Sequence, residues 1–306
     1  MNKMINFPNL NIHWENVGEK INLFGIEITY FGILLGVAIL FGIALTMWLA
    51  HRSGQEAEEY LNLSIYVIIF GIVGARLYYV LFGFEQFKGH WTKIFNIRSG
   101  GLAFYGALIA GIITVFIFCK RQGLLVWKVL DTIVPALLIG QILGKLGNFF
   151  NREAFGECTD GIFAMQLPID SVRAVDVTEK MRQNVEKIDG INMIQVSPSF
   201  LYEIILCLVI LIFILIYRRF EVYRGEIFLL YIISYGAGRF FIEMGRVDKL
   251  RTLIFHLPAS QVVAVLSVII AMGLLCITYR SGDGQGKGFF RTNKAKKKKT
   301  KLKFSK

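Results

Sequence analysis

The stretch TIVPALLIGQILGKLGNFFNREAFG, residues 132–156, joins an apolar run to a group of charged and amide side chains. Together with the residues before it, the apolar part is long enough to cross a bilayer, which takes about 20 residues in a helix. The polar part carries Lys145, Asn148, Asn151 and Glu153 between glycines. Because charged groups are costly near lipid, this junction predicts a membrane helix that leads into a polar site.

The composition of the whole chain points the same way. Of the 306 residues, 55% are hydrophobic and 18% are charged, with a mean hydropathy of +0.54. Soluble domains are about 45–50% apolar and about 25% charged. The sequence therefore predicts an all-α polytopic membrane protein with seven transmembrane helices. The apolar runs that predict them are residues 24–50, 61–84, 101–119, 124–143, 199–217, 226–242 and 256–278.

Basic residues in the short connections predict the orientation. KRQG follows the third run, YRRFEVYRG follows the fifth, and KAKKKKTKLK lies in the tail after the seventh. With seven spans these segments share one side, which should be cytoplasmic, so the N-terminus faces outward. The tail also carries most of the net charge of +12. A polybasic stretch after a final span is typical of contact with anionic lipid headgroups, so we expect membrane lipids rather than nucleic acid as its partner.

The sequence divides into four parts. Residues 1–23, with Trp14, predict an extracytoplasmic interfacial arm, because such residues suit the headgroup zone. Residues 24–280 form the membrane domain, and residues 144–198 predict a small extracytoplasmic head inserted between the fourth and fifth spans. FAMQLPI and INMIQV within this head are typical of short strands. Residues 281–306 form a basic cytoplasmic tail, which we expect to be disordered.

Charged residues also lie inside or at the end of other predicted spans, most notably the second and the sixth. Arg76 lies inside the second span, in GIVGARLYYVLF, and GAGRFFIEMGRVD closes the sixth with Arg239, Glu243 and Arg246. An arginine at the centre of a membrane helix costs about 2.5–3.5 kcal/mol, so such residues usually face a polar cavity and have partners. Arg239 and Glu243 are four residues apart, which places them on one helix face where they can pair.

In the predicted topology several of these groups meet on the outer side. Gly100, Gly101 and Tyr105 begin the third span, and Lys145 and Arg239 end the fourth and sixth. Cations next to exposed backbone N–H groups make an anion site, and the available anion is a lipid phosphate. Simpler interpretations stay open: snorkelling or a structural pair for Arg76, an ordinary ion pair for Arg239, capping for the asparagines and a headgroup-belt role for Tyr105. The scattered cysteines and histidines predict no metal site.

Six motifs in order indicate a family. They are GARLYYVLF, SGGLAFYGALIAG, GKLGNFFNREAFG, SPSFLYE, GRFFIEMGR and LPASQ. Over roughly residues 24–280 the chain resembles the bacterial prolipoprotein diacylglyceryl transferases. The resemblance implies an enzyme of the bacterial cytoplasmic membrane that needs no cofactor. It would move the diacylglyceryl group of phosphatidylglycerol to the lipobox cysteine thiol of prolipoprotein signal peptides, forming a thioether and releasing glycerol phosphate.

The resemblance also implies roles for individual residues. Lys145, where the family carries a signature arginine, would contact the lipid phosphate. Arg239 would stabilise the phosphate or the leaving group, with Glu243 orienting it. Tyr105, where many members have histidine, would handle the thiol proton. The remaining substrate-binding residues would be Arg76, Gly100, Gly101, Asn148, Asn151, Glu153, Gly156 and Arg246.

Two departures from the family pattern leave other functions open. Lys145 cannot make the bidentate contact that an arginine makes with phosphate. Phe31-Gly32 stands where the family usually has Tyr-Gly. A divergent lipid-binding paralogue without turnover is therefore one alternative. A small-anion or lipid transporter is another, which would need a polar path through the membrane with Arg76 and Asp131 as candidate residues.

Overall fold

Seven long helices dominate the computed structural model, which describes residues 4–89, 91–96, 100–245 and 258–283. All seven are long and apolar enough to cross a membrane. Arg246 and most of the basic tail, from residue 284, lie outside the described residues, and so do the predictions made for them. The helices are α1 Tyr30–Arg52, α2 Ala57–Phe82, α3 Phe104–Arg121, α4 Val126–Phe150, the short α5 Glu179–Gln183, α6 Ser199–Tyr217, α7 Glu226–Met244 and α8 Ala259–Asp283.

The predicted helical, polytopic fold is confirmed, while its orientation in the membrane stays a prediction. The fifth predicted span, residues 199–217, coincides with α6. The other spans differ by a few residues or more at one end or both, and two of these differences bear on the site. The first span begins at Tyr30 instead of residue 24, because the residues before it form a strand. The fourth extends to Phe150, so Lys145 and Asn148 lie on the helix itself and not in a following loop.

The described part of the chain also contains seven short strands. They are β1 Ile5–Phe7, β2 Ile12–Trp14, β3 Lys20–Leu23, β4 Ile26–Thr29, β5 Met165–Pro168, β6 Glu186–Ile188 and β7 Ile191–Val196. Five of them form an antiparallel sheet in the order β2-β1-β5-β7-β6, and β3 and β4 form a separate hairpin. The strands predicted in FAMQLPI and INMIQV are confirmed as β5 and β7. Part of the predicted N-terminal arm is joined to the sheet of the head, because β1 pairs with β5 at Asn6 and Gln166.

One hydrophobic core holds the sheet on the ends of the membrane helices. Ile5 from β1, Leu167 from β5 and Ile194 from β7 are fully buried in it. Phe149 from α4 and Phe200 from α6 pack against each other in the same core, with ring centroids 5.6 Å apart. The head is therefore fixed directly to the helix ends that carry the polar residues of the sequence motifs.

The described residues form two compact units. The first combines the N-terminal segment to Gly42 with the chain from Val134 onward, and the second comprises Ile43–Ile133. In the second unit, α2 and α3 approach closely where Gly74 faces Gly106, since a Cβ on either glycine would overlap the other helix. Small residues allow such close helix contacts in membranes. Lys145, Arg239 and Glu243 belong to the first unit, and Arg76 and Tyr105 to the second.

Candidate functional site

A carboxylate that joins three membrane helices lies at the centre of the first unit. Glu203 on α6 is 1% exposed, and the Nζ atom of Lys145 on α4 lies 2.9 Å from each of its carboxylate oxygens. Arg239 on α7 donates from Nη1 to the same carboxylate. Its Nη2 atom lies 2.7 Å from Glu243 Oε2. Lys145 and Arg239 thus meet, as the sequence predicts, but they meet on a glutamate that the sequence analysis overlooked.

Burial orders this network into two layers. The side chains of Glu203 and Glu243 are 1% and 4% exposed, whereas those of Lys145 and Arg239 are 20% and 17% exposed. The two carboxylates are thus almost fully buried, and the two cations are partly exposed. Because isolated buried charges are strongly unfavourable, the ion pairs with the carboxylates stabilise both cations in this apolar part of the protein. Two carboxylates face two cations in this network, whereas the sequence paired only Arg239 with Glu243 and assigned Lys145 to the lipid phosphate.

A further group of polar side chains, none of them charged, lies one helical turn along the same helices. Gln141 precedes Lys145 by four residues on α4, and Cys207 follows Glu203 by four on α6. Gln141 Nε2 donates to the Tyr231 hydroxyl at 2.9 Å, and Cys207 Sγ lies 3.6 Å from Gln141 Oε1. Residues four apart share one helix face. This group therefore braces α4, α6 and α7 beneath the ion pairs.

Two amide side chains continue the polar face of α4 towards the head. Asn148 follows Lys145 by three residues and shares its face. Both Asn148 and Asn151 are half-buried, and within the described residues neither carboxamide makes a hydrogen bond. The capping role considered for them has no support in this geometry. Unused half-buried amides next to exposed cations are suited to bind a polar ligand.

The turn after α4 is held in an unfavourable backbone conformation. Arg152 and Ala154 have φ angles of 53° and 57°, in the left-handed region that side chains rarely adopt. The buried Arg152 guanidinium holds the turn by donating to Glu19 Oε1 and the Val17 carbonyl, each at 2.7 Å. Burial lowers the pKa of Arg152, and the Glu19 carboxylate acts in the opposite direction. Such strained turns persist where the surrounding structure fixes them, often at functional sites.

Gly156 ends this turn by packing against two other segments. Its backbone N–H donates to the Ser197 carbonyl at 2.7 Å, and a Cβ here would lie 2.5 Å from the Gly245 carbonyl oxygen. Gly156 is thus required for a close approach between the α4 turn, the start of α6 and the end of α7. Glu153 is half-buried, and its Oε1 atom lies 3.8 Å from Arg173 Nη1. Contact of either residue with a headgroup stays a prediction.

In the second unit, Arg76 is bound by backbone. Its Nε and both terminal nitrogens donate to five carbonyl oxygens at 2.6–3.1 Å, which uses all five of its N–H groups. The acceptors are Lys93, Ile94, Asn96, Gly100 and Gly101. This arrangement favours the structural interpretation of Arg76 and leaves no donor for a lipid phosphate or for a transport path. The structure does bring the predicted residues Arg76, Gly100 and Gly101 together, as one structural cluster.

We expect Gly101→Ala to destabilise this cluster more than Gly100→Ala. Both glycines have positive φ angles, +78° and +88°, so alanine strains the backbone at either position by about 1–3 kcal/mol. Only at Gly101 would the new Cβ also collide with Arg76 Nη1, at 2.5 Å. Thermal unfolding of both variants in detergent measures the difference. Equal melting temperatures would contradict the proposed packing role of Arg76.

Two aromatic residues singled out in the sequence, Tyr105 and Phe31, have different surroundings. Tyr105 lies in the first turn of α3, 39% exposed, with its ring 5.9 Å from that of Phe104. Its role in moving the thiol proton stays a prediction. Phe31 packs on α4, since a Cβ at Gly147 would lie 2.5 Å from its ring. The position that departs from the family pattern thus directly contacts the helix that carries Lys145.

The protein's own thiols have no visible chemical role in the described part. Cys119 and Cys207 are buried, Cys158 is half-buried, and Cys276 is exposed on α8. Burial raises the pKa of the Cys158 thiol, so this group is a poor nucleophile at neutral pH. The described residues also contain no group of side chains arranged to hold a metal ion.

Comparison with known protein families shows which family the chain belongs to. The sequence model for Prolipoprotein diacylglyceryl transferase matches residues 19–277. The chain belongs to this family. A Phosphatidylglycerol–prolipoprotein diacylglyceryl transferase of Halalkalibacterium halodurans is 34% identical over 262 residues, 84% of each chain. One of the same name from Finegoldia magna is 34% identical over 260 residues, 85% of this chain and 94% of the relative.

Family membership agrees with the fold. The relatives are bacterial transferases by name, and the seven apolar helices indicate a multi-pass membrane protein. The match covers both the ion-pair network and the strained turn after α4. Of the residues in the network, Glu203 alone was not predicted, although it is the last residue of the SPSFLYE motif and the only acidic residue of α6.

Proposed function

We propose that this protein transfers the diacylglyceryl group of phosphatidylglycerol to the lipobox cysteine of prolipoproteins in the bacterial plasma membrane. This is the first step of lipoprotein maturation. The observation that carries the proposal is the meeting of Lys145 and Arg239, from helices distant in sequence, on the buried carboxylate of Glu203. Family membership supplies the reaction, and this network supplies a physical means to perform it.

The proposed reaction exchanges one carbon–oxygen bond for one carbon–sulfur bond. The thiolate sulfur attacks the glycerol carbon of the diacylglyceryl group that bears the phosphate ester oxygen. A carbon–sulfur bond forms, that carbon–oxygen bond breaks, and glycerol phosphate leaves with the electron pair. The thiol proton ends on the phosphate oxygen that leaves, and Tyr105 is our candidate to relay it, giving up its own phenolic proton as it receives the one from the thiol. A cysteine thiol has a pKa near 8.5, so removing this proton is part of the energetic cost.

Lys145 and Arg239 would act on the leaving group. Negative charge on the phosphate grows as the carbon–oxygen bond breaks, and fixed cations in a dry site stabilise such charge strongly. The buried carboxylates hold both cations in place before the lipid arrives, so little reorganisation is needed during the reaction. Asn148 and Asn151 would bind the polar headgroup through their unused amides, which positions the lipid with its phosphate at the cations.

A reconstituted transfer assay tests this proposal. Purified protein in vesicles with phosphatidylglycerol receives a lipobox peptide, and mass spectrometry detects the diacylglyceryl adduct on cysteine. The same peptide with serine in place of cysteine is the control. Adduct formation supports the transferase. Saturable lipid binding without adduct would instead support the lipid-binding paralogue, and lipid or anion flux without adduct would support a transporter.

We expect Lys145→Arg to retain transfer activity or to raise it several-fold. A guanidinium can donate to Glu203 through one edge and still offer N–H groups to phosphate, whereas the Lys145 ammonium divides one compact charge between both. Lys145→Ala is the matched variant and should lose about 100-fold or more in turnover. The assay above compares the three proteins at equal folded concentration. Full activity in Lys145→Ala would remove Lys145 from the mechanism.

A further inference from the structure

The β3–β4 hairpin, Lys20–Thr29, has one polar face and one apolar face. Its register pairs Lys20 with Thr29 and Asn22 with Glu27 on one side. The alternating positions Ile21, Leu23, Ile26 and Ile28 lie on the other side, because partners across a two-stranded sheet share a face. This pattern is as regular as that of a sheet covered on one side by a hydrophobic core, yet the hairpin is separate from the five-stranded sheet.

The side chains of the polar face make an ion pair and a hydrogen bond within the hairpin, whereas those of the apolar face are left partly exposed by the described residues. Lys20 Nζ lies 3.0 Å from Glu27 Oε2, and Asn22 Oδ1 accepts from the Gly25 N–H at 2.9 Å. The four side chains of the apolar face are each exposed by 36–59%. A two-stranded hairpin is marginally stable alone and needs its apolar face covered. A cover supplied from outside the described part of this chain would therefore stabilise the hairpin.

The tip of the hairpin gives a second, independent indication. Phe24 is 99% exposed and has a φ angle of 52°, followed by Gly25 at 84°. Positive φ at both positions is typical of a tight hairpin turn that favours Asn-Gly or Gly-Gly. A phenylalanine here is unfavourable both for the backbone and for its contact with water. The second cost is removed if the ring enters an apolar medium, and this gain can offset the backbone strain.

The position of the hairpin decides which medium that is. Thr29, the last residue of β4, is followed directly by Tyr30, the first residue of the membrane helix α1. The Tyr30 N–H also donates to the Glu19 carbonyl at 2.9 Å, which closes the base of the hairpin. Four residues of strand extend about 13 Å at most. The tip therefore stays within reach of the bilayer surface, where the polar headgroup zone is about 5–8 Å thick.

We propose that the apolar face of the β3–β4 hairpin lies in the lipid leaflet that the N-terminus of α1 enters, with Phe24 inserted below the headgroups. The lipid surface is favoured over a protein partner because the apolar face is continuous in sequence with α1, whose Ile33 and Leu35 are also exposed. Such a contact would hold the head at a fixed height above the leaflet. This proposal does not depend on the transfer reaction.

Nitroxide labels on the two faces test this placement. Cysteines replace Phe24 and, as the matched control, Glu27 on the polar face, in a Cys158→Ala and Cys276→Ala background that leaves the buried Cys119 and Cys207 in place. Collision rates with dissolved oxygen and with a water-soluble nickel complex are measured in phosphatidylglycerol and phosphatidylcholine vesicles. We expect the oxygen-to-nickel ratio to be at least five-fold higher at position 24 than at position 27, on the order of the contrast between lipid and water phases.

Other outcomes overturn the proposal. Equal ratios at the two positions would place the tip in water. Dipolar broadening at position 24 that disappears on dilution into excess lipid would assign the apolar face to a second copy of the chain. If Phe24→Cys does not fold, Leu23→Cys reports from the same face. Because the readout is not catalytic, failure of this proposal is distinguishable from failure of the proposed transferase function.

Discussion

Replacing Glu203 by glutamine is expected to abolish transfer almost completely, lowering turnover by about 100-fold or more. The substitution keeps the size of the side chain and removes the negative charge that Lys145 and Arg239 share. The two cations then repel each other and move apart, so neither stays at its position for the phosphate. Leaving a buried charge without its partner also costs about 3–5 kcal/mol of stability. Transfer to the lipobox peptide and thermal unfolding measure the two effects.

Glu226→Gln is the matched control for this experiment. Glu226 is also a buried carboxylate, 1% exposed, but it lies in the first turn of α7 outside the site. It accepts hydrogen bonds from the hydroxyls of Tyr217 and Tyr279 and from the backbone N–H of Val222 at 2.8 Å. Glu226→Gln should lose stability while each folded molecule retains its turnover. Equal loss of turnover in both variants would contradict a specific role for Glu203.

Charge balance provides a further check on Glu203. The double variant Glu203→Gln with Lys145→Met removes one negative and one positive charge from the network. We expect it to recover about 1–3 kcal/mol of the stability that Glu203→Gln loses, because the two residues are coupled. It should not recover transfer, because the phosphate has then lost a cation. Recovery of transfer would show that Lys145 does not act on the lipid.

Replacing Arg239 by alanine is expected to lower turnover by about 100- to 1,000-fold, the usual effect of removing one group that stabilises developing negative charge. Arg239 contacts both buried carboxylates, Glu203 and Glu243. Its loss would therefore remove a cation from the phosphate and leave Glu243 without this partner. Arg239→Lys keeps one charge but cannot contact two carboxylates with the same fixed geometry. We expect it to retain only a small part of the activity.

Arg121→Ala controls for the loss of an arginine in general. Arg121 is exposed at the end of α3, in the second unit, and is not one of the residues of the network. Transfer rates are compared over a range of phosphatidylglycerol contents in mixed vesicles. A lower maximal rate in Arg239→Ala indicates stabilisation of the transition state, whereas a higher lipid requirement alone indicates simple binding. Unchanged rates at all lipid contents would exclude Arg239 from the reaction.

Much of the membrane architecture follows from hydropathy. The run at residues 199–217 is apolar at nearly every position, and its bounds match α6. The β3–β4 hairpin was missed because Ile26 and Ile28 merge into the apolar run of α1. Period-two and helical patterns cannot be separated over so few residues. The end of α4 was misplaced because Lys145 and Asn148 are polar, although their helix continues beyond them to Phe150.

The site was predictable only in part, for physical reasons. Cations in apolar runs stand out, and Lys145 and Arg239 were found this way. Glu203 gave the same kind of signal, as a carboxylate in an apolar run, and this signal was overlooked. The role of Arg76 could not be predicted, because its acceptors are backbone carbonyls that any sequence carries. Only the folded structure shows that these oxygens surround the Arg76 guanidinium. Without that structure, an arginine bound by backbone cannot be told from one that binds a ligand.

The position of the bound lipid phosphate tests the proposed role of Lys145 and Arg239 most directly. An experimental structure of the protein in nanodiscs containing phosphatidylglycerol would locate the headgroup relative to the network. The proposed mechanism predicts phosphate oxygens about 3 Å from both Lys145 Nζ and the Arg239 guanidinium, while Glu203 still contacts both cations. A phosphate bound elsewhere, with Lys145 and Arg239 contacting only the two carboxylates, would contradict it.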